Sequence, residues 1–106
     1  MWFAPNTRDI QMTVGDYGVK LPFKFKYITI ANDDYFKFTI KTGVDDEPLI
    51  EIDITDIENN KVEIELSKQD SDKLSVGTYF YNLDWYQDNN FNCNLIRLAK
   101  FEVMKK

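Results

Sequence analysis

The segment at residues 67–83, S-K-Q-D-S-D-K-L-S-V-G-T-Y-F-Y-N-L, constrains the fold of this chain more than any other. Ser67 is placed to cap one helical turn, with an aspartate three residues later in the position that closes a capping box. Gly77 then redirects the backbone, and the strand that follows carries Tyr79 and Tyr81 on one face. This layout is typical of the corner where an immunoglobulin-type sandwich passes from one sheet to the other, with a tyrosine bonded back to upstream backbone.

Apolar and polar residues alternate along most of the chain, whereas helical periodicity is nearly absent. The clearest cases are L-I-E-I-D-I at 49–54 and V-E-I-E-L at 62–66. Each predicts a half-buried strand, and the turn between them predicts that the two strands form a hairpin. Turn signals recur about every 8–12 residues. The predicted fold is therefore all-β: an immunoglobulin-like antiparallel β-sandwich of about seven to eight strands with one short helical turn.

Local exceptions to the alternation predict irregularities within this sandwich. Pro22 interrupts a strand pattern, and because proline donates no ladder hydrogen bond it is expected at a sheet edge or a bulge. The apolar parity changes at 27–30 and again between Leu95 and Ile96, which predicts a bulge or bend at each place. The E-N-N-K sequence at 58–61 predicts a turn, since asparagine tolerates the left-handed region.

With 106 residues the chain is long enough for one domain. We expect an N-terminal arm at 1–7, the sandwich domain at 8–103 and a C-terminal tail at 104–106. The start of the chain has no basic region followed by an apolar run, so no signal peptide is predicted, and no stretch is apolar for long enough to enter a membrane. We expect a protein made in the cytoplasm.

The single cysteine, Cys93, excludes an intrachain disulfide. It alternates with Phe91 and Leu95, and is therefore expected to be a small buried apolar residue.

The sequence offers little from which to build an active site. Histidine is absent, which removes Ser-His-Asp and Cys-His arrangements and most zinc sites. The four glycines are scattered and form no phosphate-binding loop. The acidic loop at 45–47, together with Asp33 and Asp34, is a weak candidate for calcium, but its spacing does not match an EF-hand loop. We expect no catalytic residue, no cofactor and no metal, and a protein that is not an enzyme.

Charge argues against nucleic acid as a partner. Thirteen lysines and arginines stand against 18 aspartates and glutamates, a net charge of −5, whereas binding to a phosphate backbone needs clustered positive charge. The lysine stripe at positions 20, 24 and 26 is better explained as protection of an edge strand against pairing with other chains.

Aromatic residues are more numerous than one core requires. The chain has eight phenylalanines, six tyrosines and two tryptophans. Alternation assigns the following aromatic residues to the core: Phe23, Phe25, Phe36, Phe38, Tyr79, Tyr81, Trp85, Phe91 and Phe101. The remainder are expected on outer faces or at the ends, where aromatic residues favour contact with another protein. The predicted partner-binding residues are Trp2, Phe3, Tyr17, Tyr35, Phe80 and Tyr86.

The order of motifs along the chain resembles a known family. A first strand ends in G-D-Y-G at 15–18, V-K-L-P-F-K-F follows at 19–25, the segment at 67–83 forms the corner, and L-A-K-F-E-V closes the chain at 98–103. This pattern, over about residues 8–103, resembles the immunoglobulin-like N-terminal domain of upper baseplate proteins from tailed phages of Gram-positive bacteria. The matching positions, all architectural, are Gly15, Asp16, Gly77, Tyr79 and Tyr81.

The resemblance implies a non-enzymatic structural protein of a phage or prophage virion, in its tail or baseplate. Its partners would be proteins: further copies of the chain, giving a homo-oligomer, or other tail and baseplate proteins.

The alternative function is a cell-surface or carbohydrate-binding β-sandwich module, because exposed tryptophan and tyrosine rings can also stack on sugars.

Overall fold

The computed structural model describes residues 1–58 and 60–106, and within them the chain is an all-β sandwich with one short helix. In chain order the strands and the helix are β1 (Trp2–Phe3), β2 (Ile10–Thr13), β3 (Lys20–Lys24), β4 (Tyr35–Lys41), β5 (Pro48–Ile54), β6 (Lys61–Glu65), α1 (Lys68–Ser71), β7 (Gly77–Gln87) and β8 (Asn90–Met104). The helix has four residues, and no helix in the described part of the chain is long and apolar enough to cross a bilayer.

The strands form two sheets of unequal size. The larger has six strands in the order β1-β2-β8-β7-β4-β5, and the smaller pairs β3 with β6. Neighbours run antiparallel except β2 and β8, which are parallel from Ile10 opposite Phe101 to Thr13 opposite Met104. Parallel neighbours require a long connection, and here almost the whole domain lies between the two strands.

The sheet order is that of an immunoglobulin-like domain. In that fold one sheet carries strands B and E, and the other carries C, F and G, with a C′ strand in the variable type. Here β3 and β6 occupy the B and E positions, β4, β7 and β8 occupy C, F and G, and β5 lies beside β4 as C′ does. The predicted fold class is thus confirmed.

The corner at 67–83 has the predicted cap and tyrosine bond, whereas the return bond from the Asp70 side chain that would complete a capping box is not among the hydrogen bonds of the described residues. The Ser67 hydroxyl accepts a hydrogen bond from the Asp70 N–H at 3.0 Å and caps α1. The chain then leaves the small sheet and enters the large one at Gly77, which has a φ of +158°. The Tyr79 hydroxyl accepts from the Ser75 N–H at 3.1 Å and donates to the Ser75 carbonyl at 3.2 Å. This closes the tyrosine corner.

The core lies between the sheets and is built from the alternate residues of both. Its centre is Tyr81, which takes the position held in antibody domains by the second cysteine, two residues after the corner tyrosine. The Tyr81 ring centroid lies 5.4 Å from that of Phe38 and 6.5 Å from that of Phe101. An aromatic ring, rather than a disulfide, therefore fills the middle of this sandwich.

The predicted hairpin between 49–54 and 62–66 is wrong. β5 pairs with β4, from Phe36 opposite Ile54 to Lys41 opposite Pro48, while β6 pairs with β3 in the other sheet. Both strands alternate apolar and polar residues because each packs one face on the shared core. Alternation of that kind is the same for two strands of one sheet and for two strands that face each other across a sandwich.

The predicted irregularities take different forms. In β8 the pairs Leu83–Ile96 and Asp84–Asn94 leave Leu95 as an extra residue, which confirms the bulge expected there. The segment at 27–30 is not a second piece of strand. It is irregular chain with Ile28 and Ile30 half-buried against the core.

Asn60 holds this irregular segment in place. Its side-chain amide donates to the carbonyls of Phe25 and Ile28, both at 2.8 Å, and its Oδ1 accepts from the Ile30 N–H at 3.0 Å. The Asn60 φ is +59°, so the left-handed conformation predicted for asparagine in the 58–61 turn is confirmed at Asn60, while Asn59 lies outside the described residues. The side chain of one turn residue therefore satisfies the backbone of a distant connection.

Candidate protein-binding surface

Four exposed apolar side chains lie around the edge of the large sheet formed by β1 and β2. Trp2 is 59% exposed, Tyr17 54%, Met104 47% and Val19 42%. We call these four residues the terminal-strand patch. Large exposed apolar residues that cluster, rather than occur singly, mark a surface for contact with another molecule.

Backbone pairing brings two members of the patch to opposite sides of β2. Trp2 in β1 lies opposite Gln11, and Met104 in β8 lies opposite Thr13. Both side chains line a surface hollow of about 210 Å³ whose floor includes Met12. The end of the last strand therefore belongs to the same surface as the start of the chain.

The other two members are placed by the G-D-Y-G turn. Gly15 has a φ of +90°, a value that side chains rarely adopt. The Asp16 carboxylate accepts from the Thr13 N–H at 3.1 Å, which fixes the turn. Tyr17 and Val19 then line a second small hollow beside the first, and Asp16 borders both.

Phe3 faces away from this patch. It alternates with Trp2 along β1, and its ring meets Phe23 of the small sheet edge to face, with centroids 4.7 Å apart. The side chain is half-buried against the core. Phe3 therefore joins the two sheets of its own chain, and the predicted arm at 1–7 contributes a strand to the large sheet.

Tyr35 and Tyr86 lie on the outer face of the large sheet, far along it from the turn at 15–18. They are opposite each other in β4 and β7, and their rings stack with centroids 4.8 Å apart. Phe91 meets Tyr86 edge to face at 5.7 Å and is 54% exposed. Lys37 lies 5.6 Å from the centre of the Tyr86 ring. Phe80 is on the same face, but its neighbours in register are lysines 41 and 100.

The prediction that Phe91 is a core residue is wrong, and the prediction that Cys93 is buried is only partly correct. Phe91 pairs with Tyr86 on the outer face, whereas Cys93 pairs with Trp85 on the inner face, because the register shifts between the two pairs. An extra residue in a strand reverses which face the next side chains occupy. Cys93 is half-buried rather than fully buried.

Charged groups on the outer face are held by specific partners. The Lys37 ammonium lies 2.9 Å from a Glu51 carboxylate oxygen, and this hydrogen bond raises the pKa of Lys37. Partial burial raises the pKa of the Asp84 carboxyl, while a hydrogen bond donated by Asn94 opposes that change. The face thus presents aromatic rings beside amide and carboxylate groups.

Two of the five carboxylates considered for calcium, Asp34 and Asp46, accept hydrogen bonds within the protein. Asp34 is buried, and its Oδ2 accepts from the Trp85 indole N–H at 3.1 Å and from the Ala31 N–H at 2.9 Å. Asp46 accepts from the Thr42 hydroxyl at 2.7 Å inside its own loop. In residues 1–58 and 60–106 no three histidine, cysteine, aspartate or glutamate side chains are grouped closely enough to hold a metal ion.

The structure therefore separates the six predicted partner-binding residues. Trp2 and Tyr17 belong to one surface, Tyr35, Tyr86 and Phe80 lie on another, and Phe3 packs inward. Val19 and Met104 are not among the predicted partner-binding residues, because Val19 continues the apolar alternation of β3 and Met104 lies in the predicted tail. Comparison with known proteins finds no protein-family model, curated protein or solved structure that matches this chain.

Proposed function

We propose that this protein is a non-enzymatic assembly protein that binds a second copy of itself through the terminal-strand patch. The observation that carries the proposal is the grouping of Trp2, Tyr17, Val19 and Met104 around the β1–β2 edge. Aromatic and methionine side chains are enriched at the cores of protein interfaces. The four side chains of the patch are uncharged, and the Asp16 carboxylate that borders both hollows lies 3.9 Å from the Met1 ammonium, so the same surface on two copies can meet without strong repulsion, as a two-fold interface requires.

The motif resemblance described above implies the larger structure in which this assembly would occur. We propose a phage tail or baseplate as that setting, with the protein in the virion and with other tail proteins as further partners. The support is the sequence pattern that resembles upper baseplate proteins, in which the G-D-Y-G turn and the tyrosine corner occupy matching positions.

The test is light scattering coupled to size-exclusion chromatography over a concentration series. We expect a discrete oligomer in the native protein. Replacement of Trp2 and Met104 together by serine should weaken its association at least about tenfold, since truncation of a tryptophan at the centre of an interface costs about 2 kcal/mol or more where that residue is a hot spot. Tyr27→Ser is the matched control, because Tyr27 is almost fully exposed but lies outside the patch.

Two results would contradict the proposal. A native protein that remains monomeric throughout the series would exclude self-assembly. An oligomer of equal affinity in the double variant would exclude the terminal-strand patch as its interface. Circular dichroism of the variant would confirm that the fold is retained.

A second function, carbohydrate binding, is favoured by one observation on the outer face. Phe91 exposes a ring on the outer face that also carries the hydrogen-bonded pair Asp84 and Asn94, and sugar recognition combines a stacking ring with such polar groups. Affinity electrophoresis in gels containing polysaccharide tests it. Retardation that is lost in Phe91→Ala would support this function, and migration unaffected by any polysaccharide would exclude it.

A further inference from the structure

Strand β6 has one paired edge and one open edge. Among the described strands it pairs with β3 alone, and on the other side only its first residue, Lys61, is bridged, to Glu58. Pro22 lies opposite Glu63, and since proline has no N–H, that pair is one of the non-hydrogen-bonded positions of the ladder. On the same side, the Leu66 carbonyl accepts from the Gly18 N–H at 2.9 Å. Even-numbered residues of β6 therefore bond to β3, while the N–H and C=O groups of Glu63 and Glu65 point to the open edge.

The two outer edges of the small sheet differ in how they are protected. The edge of β3 carries Pro22 between Lys20 and Lys24, and both proline and lysine discourage pairing with another strand. The edge of β6 has no proline, and its Glu63 and Glu65 retain their backbone donors. Of the two, β6 is the edge on which a further strand can add.

A groove of about 320 Å³ runs beside this edge, between β6 and the end of β5. On the core side it is lined by Ile52 and Ile54. Ile52 pairs with the buried Phe38 but is itself only half-buried, because the two-stranded sheet does not extend over β5. In immunoglobulin-like domains a D strand adjoins E in this region, whereas here the connection from β5 to β6 contains no strand among the described residues.

The charge around the groove selects for a basic occupant. Asp53, Asp56, Glu63 and Glu65 line it, with Lys20 as the one lysine of the lining, while Lys61 and Lys37 lie 3.9 Å from Glu63 and Asp53 and leave Asp56 and Glu65 as the carboxylates without an ion pair in the described residues. Side chains of successive residues in an added strand point alternately inward and outward. The inward ones would cover Ile52, and the outward ones would lie beside Glu63 and Glu65, where opposite charges directly across a strand pair are stabilising.

We propose that the open edge of β6 binds an extended segment of a partner protein in which apolar residues alternate with lysine or arginine, by β-strand addition. The added strand supplies the missing neighbour of β6 through main-chain hydrogen bonds to Glu63 and Glu65, and alternate side chains give specificity. This site lies across the sandwich from the terminal-strand patch and goes beyond the self-assembly proposed above.

The first test measures the binding of synthetic peptides to the intact protein by fluorescence anisotropy. The probe is a labelled peptide of about seven residues, long enough to span β6, with valine and lysine alternating and both ends blocked. The matched control replaces each lysine with glutamate. We expect saturable binding of the lysine peptide and at least about tenfold weaker binding of the glutamate peptide. No saturable binding of the lysine peptide up to roughly 1 mM would overturn the proposal.

Two variants then examine the mechanism. Glu63→Pro removes the N–H that faces the open edge and no hydrogen bond to β3, and it should abolish binding. The double variant Glu63→Lys with Glu65→Lys leaves the backbone unchanged and should reverse the preference, so that the glutamate peptide binds more tightly. Equal affinity of the lysine peptide for the native protein and for both variants would overturn strand addition at β6.

The outcome is separable from that of the self-assembly test. The double variant Trp2→Ser with Met104→Ser should bind the lysine peptide as the native protein does, because neither residue lines the groove. Loss of peptide binding in that variant, with circular dichroism unchanged, would contradict the placement of the site at β6.

Discussion

Two tyrosine hydroxyls of β7 tie that strand to other parts of the backbone. Tyr79 bonds to Ser75 at the corner, and the Tyr81 hydroxyl donates to the Arg8 carbonyl at the end of the β1–β2 turn. Arg8 has a φ of +65°, an uncommon conformation for a residue with a side chain. The two bonds tie neighbouring positions of β7 to two separate segments, one next to the helix and one just before β2.

The corner predicts the effect of Tyr79→Phe. Loss of the hydroxyl leaves the Ser75 N–H and carbonyl without their partner, and the free energy of unfolding should fall by about 1–2 kcal/mol. Urea unfolding measures it. Tyr17→Phe is the control, since the Tyr17 ring is exposed, and it should leave stability within about 0.5 kcal/mol of the native value. Equal stability of native protein and Tyr79→Phe would show that the corner contributes nothing.

Tyr81 predicts a loss of stability in alkaline solution. Burial, assisted by the charge of Asp9, raises the pKa of the Tyr81 phenol above its usual value. Below about pH 10 the phenol is protonated in both states, so its contribution is complete. Above that pH the unfolded chain loses the proton and the folded protein retains it, so stability falls as pH rises.

The measurement is the urea midpoint between about pH 8 and pH 11 for the native protein and Tyr81→Phe. The variant should start less stable, because it lacks the bond to Arg8, and should lose less stability with rising pH. Parallel pH profiles for the two proteins would mean that Tyr81 ionises as readily when folded as when unfolded.

At the scale of single elements, the hydrogen bonds of Asn60 predict that this residue stabilises the connection from β3 to β4. Asn60→Ala removes three hydrogen bonds and places alanine at a φ of +59°, whereas Asn60→Gly removes the same bonds at a conformation that glycine accepts. Both should destabilise the protein, and alanine by about 1 kcal/mol more than glycine.

Amide hydrogen exchange gives the matching local measurement. The Ile30 N–H donates to Asn60 Oδ1, so its exchange should accelerate in both variants, whereas the amide of Tyr81, in the central β7, should follow global stability only. Unchanged protection of Ile30 would show that the segment at 27–30 is held by packing rather than by Asn60.

The sequence predicts those elements whose signals are local. The cap at Ser67, the tyrosine corner, the bulge at Leu95 and the left-handed turn near Asn60 follow from neighbouring residues. The pairing of β5 with β4 could not be predicted in this way, since alternation identifies a strand but not the sheet to which the strand belongs. The hydrogen bonds from Asn60 to Phe25 and Ile28 could not be predicted from neighbouring residues either, because Phe25 and Ile28 lie far from Asn60 in the sequence.

The residues of the candidate binding surface likewise divide into those that the local sequence predicts and those that depend on strand pairing. Trp2 and Tyr17 are recognisable because they lie outside the alternating pattern. Met104 and Phe91 are not, because their exposure depends on where β8 ends and where its register shifts. A residue that joins a binding surface only through strand pairing cannot be recognised as part of that surface from its neighbours in the sequence.

At the scale of the whole molecule, a single core shared by both sheets predicts cooperative unfolding. The two tryptophans report on different environments, because Trp85 is buried in the core and Trp2 is exposed at the edge. In Trp2→Phe, fluorescence therefore follows Trp85 alone. Its urea transition should coincide with that of far-UV circular dichroism, as for a two-state domain. Separate midpoints would show that the small sheet and the large sheet unfold independently.

The parallel pairing of β2 with β8 determines how the domain would respond to tension. The two strands run in the same direction, from Ile10 beside Phe101 to Thr13 beside Met104. A pull applied to the start of β2 and to the end of β8 therefore slides the strands along each other. Their hydrogen bonds are loaded together in shear rather than opened one after another, which is the geometry that resists mechanical extension.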